Sequence, residues 1–195
     1  SIPFEDFYRA MANGADTKTA AVGTGDYLEY FGSFLEQGKD VLHASLSSGI
    51  SSSYEAACEA AAELAPKYPD RKLYIVDSLA ASSGYGLLMQ TLSDMRAQGK
   101  GIDEVRDWAE GHKLSICHQF TVDDLHFLKR GGRISSTTAF VGSMLQIKPV
   151  LHVDNDGKLM TVAKARAGIE KLVHLTPQTA RVLRDGREEV IPAEQ

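Results

Sequence analysis

The chain has 195 residues, 43% hydrophobic and 24% charged, with 17 glycines, 6 prolines and a formal net charge of −5. That composition excludes collagen-like, disulfide-framework and low-complexity disordered classes, and the length allows one domain and part of another rather than two of full size. The acidic balance leaves no overall electrostatic footprint for nucleic acid, and no run approaches the roughly 18 uninterrupted apolar residues of a membrane span.

In chain order, Pro3 suits a first helical turn, and Phe4, Phe7, Tyr8 and Met11 then recur at helical spacing until Asn13-Gly14 stops them. Residues 15–24 are small and polar and read as a loop. Gly25-Asp26 opens a second helix with Leu28, Phe31, Phe34 and Leu35 on one side, closed by Gly38. Residues 40–46 (DVLHASL) predict a short buried strand that runs into a serine-rich loop, residues 47–53. A helix with an alanine face (Ala57, Ala60, Ala61, Leu64) follows and ends at Pro66 and Pro69. LYIV, residues 73–76, is the next strand, followed by Asp77-Ser78, a second serine-rich turn at 82–84 and a long helix striped by Leu87, Leu88, Leu92 and Met95. A helix over 102–110 and a strand over 114–120 complete this part. Buried strands alternating with helices predict an α/β layer with a mainly parallel sheet, whose ligands sit beyond the carboxyl ends of the strands. Both serine-rich loops lie there.

The last third reads differently. Thr121, with Asp124 three residues on, resembles a helix start; that helix carries Leu125 and Leu128 and ends in KRGGR, residues 129–133. A further helix is expected over 135–145. Residues 147–153 and 158–162, joined by Asp154-Asn155-Asp156-Gly157, predict a β-hairpin, because Asp-Gly at the tip is a strong turn signal. From about Thr176 the chain is polar and weakly periodic. The expected organisation is an N-terminal α/β domain over 1–113, part of a second α+β domain with helices and the hairpin over 114–175, and a tail of unassigned structure over 176–195.

Cys58 and Cys117 lie in apolar runs that read as buried, and neither has a metal-binding spacing. A reducing cytoplasm is the expected compartment, and SIPFEDFYRAM does not read as a signal peptide. His43, His112, His118, His126, His152 and His174 are scattered without metal-type pairs and are expected to be structural or exposed. No metal or cofactor is therefore expected.

The 47–53 loop is the most informative stretch. It sets hydroxyls and free backbone N–H groups at a strand-to-helix junction, where the positive end of the helix dipole favours an anionic head, phosphate or carboxylate. The plain alternative is an N-cap with solvated serines. The loop is neither a nucleophile elbow, since Leu46 and Ile50 stand where glycines belong, nor a Walker A loop. Asp77-Ser78 either meets a ligand or caps its own turn. The basic residues Lys129, Arg130 and Arg133, and Lys164 and Arg166, either serve a helix end or pair with a carboxylate or acyl-phosphate. Asp123-Asp124 reads as a helix start rather than a catalytic pair.

Four segments in order, SLSSGISSSYEAA (45–57), YIVDSLAASSGYGLL (74–88), DDLHFLKRGGRIS (123–135) and LQIKPVLHVDNDGKLMTVAKAR (145–166), resemble the motif series of the DegV family. The likeness runs from about Phe4 to Leu175. It implies a bacterial fatty-acid-binding carrier, not itself an enzyme. Its acyl chain would lie in an apolar tunnel between two domains, with the carboxylate held by Ser and Thr groups on loops. Some members of the family serve as binding subunits of a fatty acid kinase and carry the acyl-phosphate. Under the resemblance Ser51 is the best carboxylate contact, with Ser52 standing for the family's glycine and Ser53 for its threonine. Thr19 matches the threonine of the family's Thr-Ser-Gln loop, with Ala20 and Ala21 replacing the other two, and Arg133 and Arg166 match its two arginines. The resemblance also implies that the family's first strand and much of its C-terminal part lie outside this chain. Implied partners are a long-chain fatty acid and a kinase subunit, with peripheral membrane contact and no nucleic acid. Two other readings stay open: an enzyme in its own right (a serine hydrolase or phosphotransferase, with Asp77 the nearest candidate partner for Ser51), and a degenerate or truncated structural domain without ligand, which Ala20 and Ser52 favour.

Overall fold

The computed structural model describes residues 2–122, 125–134, 147–166, 179–184 and 187–192. Its elements are α1 (Phe4–Ala12), α2 (Thr24–Leu35), β1 (Val41–Ser45), α3 (Ser53–Leu64), β2 (Leu73–Asp77), α4 (Ser82–Ala97), α5 (Ile102–His112), a 3-10 turn (Lys113–Ser115), β3 (Gln119–Thr121), α6 (His126–Arg130), β4 (Ile147–Val153), β5 (Leu159–Arg166), β6 (Thr179–Arg184) and β7 (Arg187–Pro192).

β1 and β2 pair in parallel, with Val41 opposite Leu73 and Ser45 opposite Asp77. Alternation along these strands sends side chains to two cores, as a pleated strand requires. Val41, Leu73 and Ile75 pack with Tyr27, Phe31 and Leu35 of α2 and with Ala57, Ala60 and Leu64 of α3. On the other face Leu42, Ala44 and Val76 meet Leu88 and Leu92 of α4 and Val105 and Ala109 of α5. Helices on both faces of a parallel pair make this an α/β layer. Ala57 and Ala60 are fully buried, so at these two positions α3 presents only a methyl group to the core. His43 shares the α2–α3 side, its ring 5.2 Å from that of Tyr27 and 5.3 Å from that of Phe31.

Local signals set the helix ends. The Asp26 carboxylate accepts from the Gly23 amide and closes the start of α2. At its other end Gly38 takes φ +72°, the left-handed value that a helix stop needs, and Lys39 N–H reaches back to Phe34 C=O at 3.1 Å. α1 carries acidic residues in its first turn but buries none of its side chains; Phe4 and Tyr8 meet edge-to-face at 4.7 Å on its surface.

Beyond α5 the layer changes. The strand expected over 114–120 is replaced by the 3-10 turn, which tightens the end of α5, and by the short β3. Leu114 is exposed, and so is Cys117, which had read as buried. β3 runs antiparallel to β4 and does not extend the parallel pair: Phe120 sits opposite Leu151 and Thr121 opposite Val150. Thr121 is thus a ladder residue and not a helix cap. The described helix there is α6; Asp123, Asp124 and the helix expected over 135–145 lie outside the described residues. The β4–β5 hairpin forms as the Asp-Gly signal predicts: Asp154 Oδ1 accepts from the amides of Asp156 (3.0 Å) and Lys158 (2.8 Å), and Gly157 takes φ +73°. The tail, which gave no periodic signal, contains a second antiparallel pair, with Thr179 opposite Pro192 and Arg184 opposite Arg187. Of the cysteines, Cys58 is half-buried on α3.

Candidate functional site

The carboxyl ends of β1 and β2 release two loops side by side. Backbone bonds tie them together: Ser47 N–H donates to Ala80 C=O (3.0 Å) and Ser78 N–H to Ser45 C=O (3.2 Å). Asp77, 9% exposed, adds a third tie, because one carboxylate oxygen accepts from the amides of both Ser48 (3.2 Å) and Leu79 (3.0 Å). Asp77 does more than cap its own turn, then: it also holds the serine-rich loop.

From Ser47 the chain turns tightly, with the amides of Ile50 and Ser51 both donating to Ser47 C=O. Ser51 is half-buried. Its hydroxyl lies 2.9 Å from that of Ser53 and accepts from the Ser53 amide at 3.3 Å, so it caps the first turn of α3. Ser52 takes the N-cap position without a side-chain cap bond and stays exposed. Ser53 is buried, and its hydroxyl accepts from the Val22 amide at 3.3 Å, pinning the loop between α1 and α2 to the head of α3. Thr24 supports the same junction by donating to Glu59 at 2.8 Å. Thr19 lies on the pinned loop, exposed, three positions before Val22. The structure thus joins the Thr19 loop to the Ser51–Ser53 cluster through the Val22 amide and the Ser53 hydroxyl.

Arg133 follows α6 half-buried, with its guanidinium on the C=O of Gly131 in its own turn. Arg166 ends β5 opposite Ile147; its side chain is outside the described residues. Arg130, which had been grouped with Arg133 but not placed in the site, reaches the threonine loop: its Nη2 donates to Thr17 Oγ1 at 3.2 Å. Helix-end statistics for cations do not distinguish Arg130 from Arg133, because both close the same short helix.

Ser47 is a second residue that the sequence did not single out. Fully buried, its hydroxyl donates to Gly157 C=O at 2.7 Å and accepts from the Gly49 amide at 3.2 Å. A Cβ on Gly49 would lie 2.6 Å from the Gly157 carbonyl carbon and oxygen. The tip of the β4–β5 hairpin therefore rests directly on the serine-rich loop. Close by, in the first turn of α3, Tyr54 has its phenol pushed up to about 12, first by a hydrogen bond with Cys58, then by burial and nearby charges including Asp77 and Glu110; it stays protonated at neutral pH.

The partners of the Ser51 hydroxyl among the described residues are Ser53 groups and not a base. Among the described residues no cluster of His, Cys, Asp and Glu could hold a metal ion. What the junction offers is hydroxyls and a helix N-terminus, a set that can receive a carboxylate.

Comparison with known proteins decides the family. A family model described as an uncharacterised protein of the DegV family matches residues 1–186. The chain belongs to the DegV family. A DegV domain-containing protein of Clostridium perfringens is 40% identical over 185 residues, 95% of this chain and 64% of that protein; one of Lactococcus lactis is 37% identical over 157 residues, 80% and 54%. This DegV chain therefore spans less than two thirds of the length of these relatives. Among solved structures it is similar to a fatty-acid-binding DegV protein of Thermus thermophilus (TM-score 0.73, 29% identity, 88% of this chain and 59% of that one). It is also similar to the fatty acid kinase B3 protein of Streptococcus pneumoniae loaded with linoleic acid (TM-score 0.78, 26% identity, 90% and 61%). A stearic-acid-binding protein of Eubacterium ventriosum gives TM-score 0.73 at 27% identity, over 89% and 59%. No helix among the described residues is long and apolar enough to cross a membrane.

Proposed function

We propose that this DegV chain binds a long-chain fatty acid, with the carboxylate received at the head of α3. In this reading Ser51 and Thr19 supply hydroxyl donors, Ser52 and Ser53 line the turn, and Arg133 and Arg166 are the basic residues that pair with the carboxylate or acyl-phosphate. The observation that carries it is the Val22–Ser53 bond, which brings the threonine loop to the serine cluster; solved relatives that hold linoleic and stearic acids support it. The acyl chain would be sequestered from water in an apolar tunnel at about 0.8 kcal/mol per CH₂. The chain then acts as a cytoplasmic carrier without catalysis of its own, and a separate kinase subunit forms the acyl-phosphate. The fatty acid kinase B3 relative supports that last step.

Native mass spectrometry of the purified chain, followed by lipid extraction, tests the reading. A non-covalent adduct of fatty-acid mass, lost on denaturation, is expected. A chain that carries no adduct and takes up none from added palmitate overturns it.

A further inference from the structure

The serine-rich loop has to hold Ser51 at one place for its hydroxyl to meet a carboxylate, and the question is what fixes it. Its own turn contributes two bonds onto Ser47 C=O. Both are local and would travel with the loop if it moved as a unit. Ser47 itself is tied to Ala80 and to the hairpin tip; the tie one residue further along the loop, at Ser48, comes from Asp77. Asp77 closes β2, a strand buried between two helical layers, and its Oδ1 accepts from Ser48 N–H, 29 positions away in the chain. The same oxygen accepts from Leu79 N–H, which fixes the carboxylate's direction. A carboxylate at 9% exposure is rarely kept without such a role, because taking its charge out of water costs free energy that only good hydrogen bonds offset.

We infer that Asp77 is a positioning residue for the head-group site: its carboxylate anchors the Ser48 amide and thereby holds Ser51 where a fatty-acid carboxylate is received. The inference rests on the fatty-acid reading above. Asp77 neither touches the ligand nor activates Ser51. It acts through the loop.

The test compares two ligands that share a chain and differ at the head, palmitate and 1-hexadecanol, by displacement of a fluorescent apolar dye, with folding followed by circular dichroism. Asp77→Ala leaves two amides without an acceptor and loosens the loop at Ser48. It should weaken palmitate binding by about ten- to a hundredfold and hexadecanol binding by less than about threefold. Asp77→Asn keeps an acceptor oxygen without the charge, and charge-assisted bonds are roughly twice as strong as neutral ones. It should give an intermediate loss for palmitate and none for hexadecanol, and it decides the matter alone should the alanine variant fail to fold. Equal losses for both ligands, or no loss for palmitate in a folded variant, overturn the positioning role. A parent protein that binds neither ligand overturns the fatty-acid reading and this inference with it.

Discussion

After β1 the chain runs Leu46-Ser47-Ser48-Gly49-Ile50-Ser51-Ser52; after β2 it runs Ser78-Leu79-Ala80-Ala81 before Ser82 opens α4. Both turns leave the same end of a parallel pair, and both lead into a helix that begins with serine. They spend their hydroxyls differently. In the first loop Ser47 is spent on the hairpin tip, while Ser51 and Ser53 share a hydroxyl pair at the head of α3 and Ser53 accepts from the Val22 amide of the Thr19 loop. In the second, Ser78 is fully buried and its hydroxyl is used up on Ala80, accepting from its amide at 3.1 Å and lying 3.4 Å from its carbonyl. The second loop also carries strain: Leu79 and Ser82 take φ of +48° and +52°, left-handed values that side chains with a Cβ rarely adopt. Composition alone does not make a binding loop. A hydroxyl is available to a ligand only where the fold has not already consumed it.

The largest expected way to break this contrast is Gly49→Ala. Its new methyl would collide with backbone at the hairpin tip, which cannot swing aside as a side chain can. Overpacking of this kind costs about 1–3 kcal/mol, read as a lower urea midpoint. An unchanged midpoint would mean that the hairpin does not rest on the loop.

Next come the paired serine changes. Ser51→Ala should lower fatty-acid affinity by roughly one to two decades while costing stability about 1 kcal/mol through the lost cap. Ser78→Ala should cost about 1 kcal/mol of stability and leave affinity alone. Similar affinity losses in both would erase the distinction between the loops.

Acid gives a smaller, graded effect. His43 and His118 both have pKa values lowered below 6.5 by burial, and each has a buried Nε2 without a hydrogen-bond partner among the described residues. The unfolded chain therefore binds more protons than the folded one as pH falls through 6.5. Stability contributed by these residues is complete above that pH, declines below it, and levels off once the folded-state values are passed. His118 lies against Gly84 in the first turn of α4 and so reports on the second loop; His43 lies against Tyr27 and Phe31 of α2 and reports on the core of the other face. His118→Gln and His43→Gln should each flatten the decline in urea midpoints. A decline unchanged in both would clear the histidines of it.

The smallest effect separates the helix starts. Ser82→Gly should stabilise by about 0.5–1 kcal/mol, because glycine accepts a positive φ freely. Ser52→Gly, at φ −76°, should instead cost a few tenths, roughly 0.3 kcal/mol. Thermal midpoints moving in the same direction for both would argue against strain in the second loop.

Much of this arrangement is legible in the sequence. Apolar spacing marks α2, α3, α4 and α5, the two buried strands read as such, and Asp-Gly marks the β4–β5 turn, because period and turn chemistry are local properties of the chain. The same Asp-Gly signal stands at 185–186 between β6 and β7, where flanking charges masked the alternation. The order of short motifs pointed to the DegV family. Tertiary structure alone decided which groups meet. The Ser53 hydroxyl reaches Val22 across 31 positions, Asp77 reaches Ser48 across 29 and Ser47 reaches Gly157 across 110. Likewise β3 turned away from the parallel sheet to pair with β4. Periodicity tells which face of an element is buried. Which distant amide completes a hydroxyl or carboxylate depends on how the elements pack, and every serine in the loop offers the same oxygen until that packing is made.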